Sequence, residues 1–236
     1  MIAALTLSTL KENFINDFIV DNRWMWLVEG LGVTLKITVL ATLLGVVIGL
    51  FLALIKVSQL HGRKIPVLSQ LADAYLIVIR GTPVVVQLLI IYYVIFASVT
   101  IDKVLVAALA FGLNSGAYVA EIFRAGIQSV DRGQMEAGRS LGLNYGITMR
   151  KIILPQAVKN ILPTLFNELI TLLKETAVAG YIAVADLTRA GDLIRARTFD
   201  PLLPLLAVAL IYLIVVVLLT KIMNMLERRL ARSDNR

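Results

Sequence analysis

Residues Leu31–Ile55 read LGVTLKITVLATLLGVVIGLFLALI, a run of 25 residues with Lys36 as its one charge. At about 1.5 Å per helical residue such a run covers the roughly 30 Å hydrocarbon core of a bilayer. In lipid every backbone polar group must be satisfied within the protein, so the run is expected to be a spanning helix. Lys36 lies close enough to one end to snorkel to the surface. Gly45 and Gly49 form a small-xxx-small pair. Two readings of the pair are open: close approach by a neighbouring helix, or ordinary glycine usage in a membrane helix.

Composition extends this reading to the whole chain. Of 236 residues, 58% are hydrophobic and 17% charged, against about 45–50% and 25% in soluble domains. A soluble enzyme, a disordered tail and a nucleic-acid module are excluded as leading classes, and no nucleic-acid partner is expected. The expected fold is an all-α integral membrane protein. Its spans are read at about 31–55, 83–101, 104–123, 161–182 and 202–219. Tyr92, Tyr93 and Phe96 lie towards the far end of the second, as in an interfacial aromatic belt. Asn114, Ser115 and Gly116 interrupt the third, which is too polar there for plain lipid contact. Asn167, Glu168, Lys174 and Glu175 make the fourth the least clear. Residues 66–80 mix Ser69, Gln70 and Asp73 with large apolar residues, which fits an interfacial helix or an extension of the second span. Residues 1–28 form an amphipathic segment ending near Trp24 and Trp26, expected to rest at the headgroup level. That segment lacks a basic start followed by a cleavable apolar run, so no signal peptide is expected.

Charge orients these spans. With the C-terminus cytoplasmic, the cytoplasmic pieces 56–80, 124–159 and 221–236 carry 15 Lys and Arg, and the opposite pieces carry 6. Positive residues favour the inside, so the N-terminus is expected outside and the C-terminus inside. Other chemistry is sparse. The chain has no cysteine, no Gly-Lys pair for a phosphate-binding loop, and one histidine, His61, in a basic loop. A thiol, haem or His-based metal site is not expected, and neither is ATP binding by this chain.

The loop after the third span carries its own helix grammar. Asp131 followed by Gln134 makes a capping-box-like start, and Gly142 is placed as the glycine just past a helix end. A short helix over Arg132–Leu141 is expected, with a second over about Tyr145–Lys151 and a return to the membrane from Pro155. Ala137 and Gly138 leave a shallow surface between Glu136 and Arg139. Such a helix suits docking into a partner's groove, or packing on its own bundle.

At this loop the chain resembles a known family. Glu136, Ala137, Gly138, Gly142, Ile152, Leu154 and Pro155 match the signature loop of ABC importer permeases, with Gly138 where the family usually has alanine. IRGTPVVVQLL (Ile79–Leu89), LNSGAYVAEIFRAGIQSV (Leu113–Val130), LPQAVKNILPTLFNELITLLKET (Leu154–Thr176) and VADLTRAGDLI (Val184–Ile194) resemble the polar amino-acid branch, the histidine, glutamine and arginine type. The resemblance runs from about Glu29 to Arg232 and implies a permease domain over 29–232, with 233–236 as the tail end. It implies a type I importer architecture with five transmembrane helices and a cytoplasmic coupling loop at 131–155. Glu136, Ala137, Gly138, Gly142 and Leu143 would dock a cytoplasmic ABC ATPase. ATP and Mg would sit on that partner, and this chain would bind no cofactor and catalyse no covalent chemistry. A second permease copy or paralogue, an extracytoplasmic substrate-binding protein and membrane lipid complete the implied partners. The implied location is a bacterial inner or plasma membrane.

Polar residues inside the spans are the candidate substrate site, because such residues usually face a cavity or a partner. Glu168 is read as a contact for a substrate ammonium or guanidinium, or as half of a structural ion pair. Arg80 is read as an interfacial anchor or a reader of a substrate carboxylate. Gln87 and Asn114 line a path or make a helix–helix hydrogen bond. Glu121, Lys174 and Glu175 are expected to pair with one another or to form part of a gate. With Glu168, the resemblance leans towards a cationic or zwitterionic amino acid such as arginine, lysine, histidine or glutamine. The competing class is an ion-coupled secondary carrier with Glu168 as a proton site. Such carriers commonly show internal repeats, and none is evident here.

Overall fold

The computed structural model describes residues 7–59 and 66–232. His61 and the tail end 233–236 lie outside the described residues. Helices α1 (Leu7–Phe14), α2 (Trp24–Gln59), α3 (Pro66–Gly81), α4 (Val84–Ile90), α5 (Lys103–Gln128), α6 (Arg132–Ser140), α7 (Tyr145–Thr148), α8 (Leu154–Glu175), α9 (Leu187–Thr198) and α10 (Leu202–Arg232) follow in order. No strand occurs among the described residues.

Among the described residues α2, α5 and α10 are long and apolar enough to cross a membrane. A fourth crossing requires α3 together with α4 and its π-helical continuation to Ile95, and that pair is bent by 110°. The sequence led to a single span at 83–101. Instead the helix stops at Ile95, and residues 96–102 turn back towards α5. Twelve residues rise only about 18 Å, so 84–95 crosses a bilayer only with help from α3. The break follows from Pro83, which lacks an N–H and pushes Thr82 out of helical geometry. Helix α8 carries Lys159, Glu168, Lys174 and Glu175, falls short as an apolar span, and ends in a 3-10 stretch over Thr176–Ile182. At the N-terminus the amphipathic segment is not one helix. A π turn at Ile15–Ile19 and positive φ at Asp21 (55°) and Asn22 (52°) break it, and Trp24 already belongs to α2.

Helices α2 and α5 form the core pair, and the small residues explain how. A Cβ built on Gly45 would lie 3.0 Å from the Ser115 side chain, and one on Gly49 would lie 2.5 Å from Val119 Cγ1. From the other side, Gly112 faces Leu44 and Gly116 faces Ile48. Each glycine thus receives a knob from the partner helix, and the close-approach reading of the pair holds within this chain. Phe111, Ile37 and Leu88 are fully buried where α4 joins them. At the other end of α2, Asp186 accepts from the Thr188 and Arg189 amides to cap α9, and Thr34 Oγ1 accepts from the Leu187 amide at 3.1 Å. Helix α10 exposes Leu206, Leu210, Leu213, Ile214 and Leu218, as a lipid-facing helix does.

Candidate functional site

The candidate substrate residues fall into two groups. Gln87 and Asn114 are both buried and bond each other, with Asn114 Nδ2 donating to Gln87 Oε1 at 3.0 Å. The Gln87 amide nitrogen also donates to the Ile79 carbonyl at 2.8 Å and to Thr82 Oγ1 at 2.8 Å. Gln87 therefore bridges α4, α5 and the broken segment between α3 and α4, and supplies partners where the helix ladder is interrupted.

Glu168 and Arg80 belong to a second place. Glu168 on α8 is half-buried, and Ser115 Oγ on α5 donates to its Oε1 at 2.8 Å. Tyr118, Glu121, Ile122, Ala125 and Gly126 of α5, with Ser129 at its C-terminal cap, face Asn160, Thr164 and Glu168 of α8 across a cleft of about 540 Å³. The spacing explains this. Residues 160, 164 and 168 are four apart and share one face of α8, and 118, 122, 125 and 129 share one face of α5. The helices touch closely near Gly126, where a Cβ would lie 2.2 Å from Ile161 Cγ1. Asn160 Nδ2 also donates to Ser129 Oγ at 2.9 Å.

Arg80 reaches the cleft wall from α3. Its guanidinium lies 3.8 Å from Glu121 and 5.8 Å from the Tyr118 ring centre. Glu121 is held more closely by Arg124, whose Nε and Nη2 reach one carboxylate oxygen at 3.0 and 2.6 Å. The expected pairing within the group of Glu121, Lys174 and Glu175 thus fails for Glu121, whose partners are Arg124 and Arg80. Position decides this: Arg124 is one helical turn from Glu121, whereas Lys174 and Glu175 close the far end of α8. Glu168 has no ion-pair partner among the described residues, so the cleft keeps one unmatched carboxylate. Ser115, Tyr118, Asn160 and Thr164 were not singled out as site residues from the sequence. The available signal was helical spacing: Asn160 and Thr164 precede Glu168 in four-residue steps, and Ser115 and Tyr118 precede Glu121 in three-residue steps.

The docking candidates lie on α6 and the turn that ends it. Asp131 caps α6 by accepting from the Gly133 amide at 2.7 Å. Gly142 takes φ +81°, its amide donates to the Arg139 carbonyl, and Leu143 donates to the Gly138 carbonyl. This is a Schellman closure, which favours a residue without a Cβ at that position. Glu136 and Ala137 are exposed, Leu143 is half-buried, and Leu141 is 80% exposed. Gly138 faces inward instead: a Cβ there would lie 2.5 Å from Thr148 Cγ2. Its lack of a side chain seats α6 on α7. Asn144 caps α7 by accepting from the Ile147 amide at 2.9 Å, and the second loop helix runs on through a π turn into α8.

Comparison with known proteins agrees with this architecture. Residues 45–232 match the family described as binding-protein-dependent transport system inner membrane component. The arginine transport system permease protein ArtQ of Bacillus subtilis is 43% identical over 211 residues, covering 89% of this chain and 94% of that protein. The putative glutamine transport system permease protein GlnP of Rickettsia bellii is 41% identical over 211 residues, with the same coverage of 89% and 94%. A crystal structure of an amino acid ABC transporter with histidines has a chain 43% identical to this one, superposing with a TM-score of 0.81 over 90% of this chain and 98% of that one. The chain belongs to the family of inner membrane components of binding-protein-dependent transport systems and is a permease of the amino-acid ABC transporter type.

Proposed function

We propose that this chain is the membrane-spanning subunit of an ATP-driven importer for cationic amino acids, with Glu168 as the main contact for the cargo's positive group. The observation that carries the reading is the unmatched carboxylate on the cleft wall. Glu121 is balanced by Arg124 and Arg80, while Glu168 has only the Ser115 hydroxyl. A cleft of about 540 Å³ lies within the range of about 300–1,000 Å³ typical of small-molecule sites. An unpaired carboxylate in a low-dielectric setting favours an ammonium or guanidinium. Arg80, at the rim beside Tyr118, is the candidate for the cargo's carboxylate. Gln87 and Asn114 act on the path by holding the broken segment that carries Arg80.

In this reading α8 is the fourth of five spans, the N-terminus lies outside and the C-terminus inside, and the membrane is a bacterial inner or plasma membrane. Helix α6 docks a separate ATPase through Glu136, Ala137 and the Gly142–Leu143 turn, with ATP and Mg held by that partner. An external binding protein delivers the amino acid, and a second permease copy or paralogue completes the pathway. Alternating access follows when ATP binding moves the docked helices.

The test is uptake of labelled arginine, lysine and glutamine by liposomes holding the chain with its ATPase and binding protein. Charge-assisted hydrogen bonds contribute about 1.5–3 kcal/mol, so Glu168→Gln should lower arginine uptake about 10- to 100-fold and glutamine uptake far less. Equal loss for all three cargoes, with folded protein unchanged, would remove Glu168 from cation recognition. Uptake driven by an ion gradient without ATP would overturn the importer reading.

A further inference from the structure

The end of α2 where its apolar run begins carries charges that the transport reading does not use. A cleft of about 450 Å³ opens there between α2 and α9. Trp26 and Glu29 line it from α2, and Ala190, Leu193, Ala196 and Arg197 from α9. Gly30 lets the two helices approach: a Cβ there would lie 2.8 Å from the Asp186 carbonyl oxygen, just before α9. Beyond that contact Ala190 and Ala196 are too small to fill the space between the helices.

Two opposite charges stand at this cleft unpaired. Glu29 is exposed, and its carboxylate has no partner among the described residues. The Arg197 guanidinium lies over the Trp26 ring at 5.4 Å. Its neighbours on α9, Arg189 and Arg195, are both committed to Asp192. A third charge lies further along α2. Lys36 is exposed within the apolar run and has no acidic partner among the described residues. Glu29, Gly32 and Lys36 follow at i, i+3 and i+7 and share one face of the helix. Nothing lies within 4 Å of a Cβ built on Gly32, so that face is open between the two charges. Side chains lean towards the helix N-terminus. Lys36, about 10 Å along the axis from Glu29, therefore reaches back towards the cleft.

We infer that this cleft holds the headgroup of an ethanolamine phospholipid: Arg197 and Lys36 take its phosphate, Glu29 takes its ammonium, and its acyl chains lie along Val39, Leu43 and Val47. The chemistry matches group for group. Arginine reads a phosphate through paired N–H donors. A carboxylate accepts from a primary ammonium, which a choline headgroup does not offer. The level matches as well. Tryptophan favours the headgroup zone, and Trp26 stands shortly before the apolar run that starts at Leu31. Val39, Leu43 and Val47 are exposed and continue the face of Lys36 into the span. A free amino acid carries the same two charges. Its carboxylate would engage Arg197 and leave Lys36 alone in the apolar run, where a charge needs a partner.

Trp24 and Trp26 are the chain's only tryptophans, so fluorescence reads the site directly. The test takes the full chain with Trp24→Phe in phosphatidylcholine nanodiscs and follows quenching of Trp26 by lipids brominated on the acyl chain near the headgroup. Brominated phosphatidylethanolamine should occupy the site about tenfold better than brominated phosphatidylcholine, the scale of one charge-assisted hydrogen bond. Glu29→Gln should abolish that preference, and Glu29→Lys should turn it towards phosphatidylglycerol. Arg197→Gln and Lys36→Gln should each weaken occupancy by both lipids. The wild-type comparison carries the test on its own should a variant fail to fold. Equal quenching by the choline and ethanolamine lipids would overturn the assignment. So would no quenching by any lipid, which would mean that protein covers the cleft. Loss of the ethanolamine preference on adding millimolar free alanine or arginine would also overturn it, by giving the cleft to a free amino acid.

Discussion

Ser115 on α5 donates to Glu168 on α8 across the cleft at 2.8 Å. The serine can approach because Gly45 of α2 stands behind it without a side chain. One hydroxyl thus fixes the orientation of the carboxylate assigned to the cargo. The hydroxyl orients the carboxylate without touching the cargo, so its loss is set at the scale of a typical hydrogen bond, about 0.5–1.5 kcal/mol. Ser115→Ala should raise the half-saturating concentration for a cationic amino acid about 2- to 10-fold, leave the maximal rate close to wild type, and act less than additively with Glu168→Gln. Concentration dependence of liposome uptake checks it.

The α2–α5 seam predicts a stability effect away from the cleft. Gly49→Ala would put a Cβ 2.5 Å from Val119 Cγ1 and 2.9 Å from the Ala120 amide nitrogen. The backbone atom cannot rotate away, so the helices must separate. Overpacking of this kind costs about 1–3 kcal/mol, and the midpoint of thermal unfolding in detergent should drop by several degrees. Gly32→Ala, with nothing within 4 Å of the new methyl group, is the matched control and should leave the midpoint unchanged.

Glu121 has two cations of unequal reach, Arg124 at 2.6 Å and Arg80 at 3.8 Å. Arg80→Ala should therefore leave Glu121 paired, and any loss of uptake should track the cargo's carboxylate. Arg124→Ala should leave the carboxylate poorly balanced and the cleft more negative. Uptake should then be reduced for glutamate-like cargo but not for arginine. The double variant should be non-additive, because both arginines share one partner. Competition by amino acids of different charge measures all three.

The end of α6 yields a coupling prediction. Gly142 sits at φ +81°, where an alanine is disfavoured by about 1 kcal/mol. Gly142→Ala should loosen the turn that carries Leu143, and Glu136→Arg should reverse an exposed charge without touching the membrane helices. Both should reduce ATPase co-purification and ATP-driven uptake, with the thermal midpoint unchanged for Glu136→Arg and lowered by about 2–4 °C for Gly142→Ala. Full ATPase recovery with Glu136→Arg would move the docking surface elsewhere on the loop.

Much of this arrangement was legible in the sequence because it is local. The capping of α6 by Asp131 and its closure at Gly142 follow from residue type at fixed spacing. The buried character of Asn114 and Ser115 follows from polarity inside an apolar run. Gly45 and Gly49 left close approach and ordinary glycine usage both open, and only the structure shows that α5 packs against them. The bend at Pro83 was the main loss. Hydropathy runs on through Pro83–Ile95 without a sign of direction, and proline alone does not give the angle. The partner of Glu121 was missed for a different reason. Charges were matched by their depth in the spans, whereas the helix turn from Glu121 to Arg124 offered a nearer cation.

The continuity of α7, the π turn and α8 has a mechanical meaning. Residues 145–175 form a rod with no non-helical break, seated on α6 where Gly138 meets Thr148. At about 1.5 Å per residue, Glu168 stands roughly 30 Å along that rod from Thr148. On the proposed docking of α6, a shove received there would be carried down the axis of α8, while α2 and α5, interlocked by their glycines, would stay behind as a chassis. Such a stroke would arrive as sliding of Glu168 against Ser115, and Pro163, which removes one hydrogen bond from the rod, is a point at which it can flex.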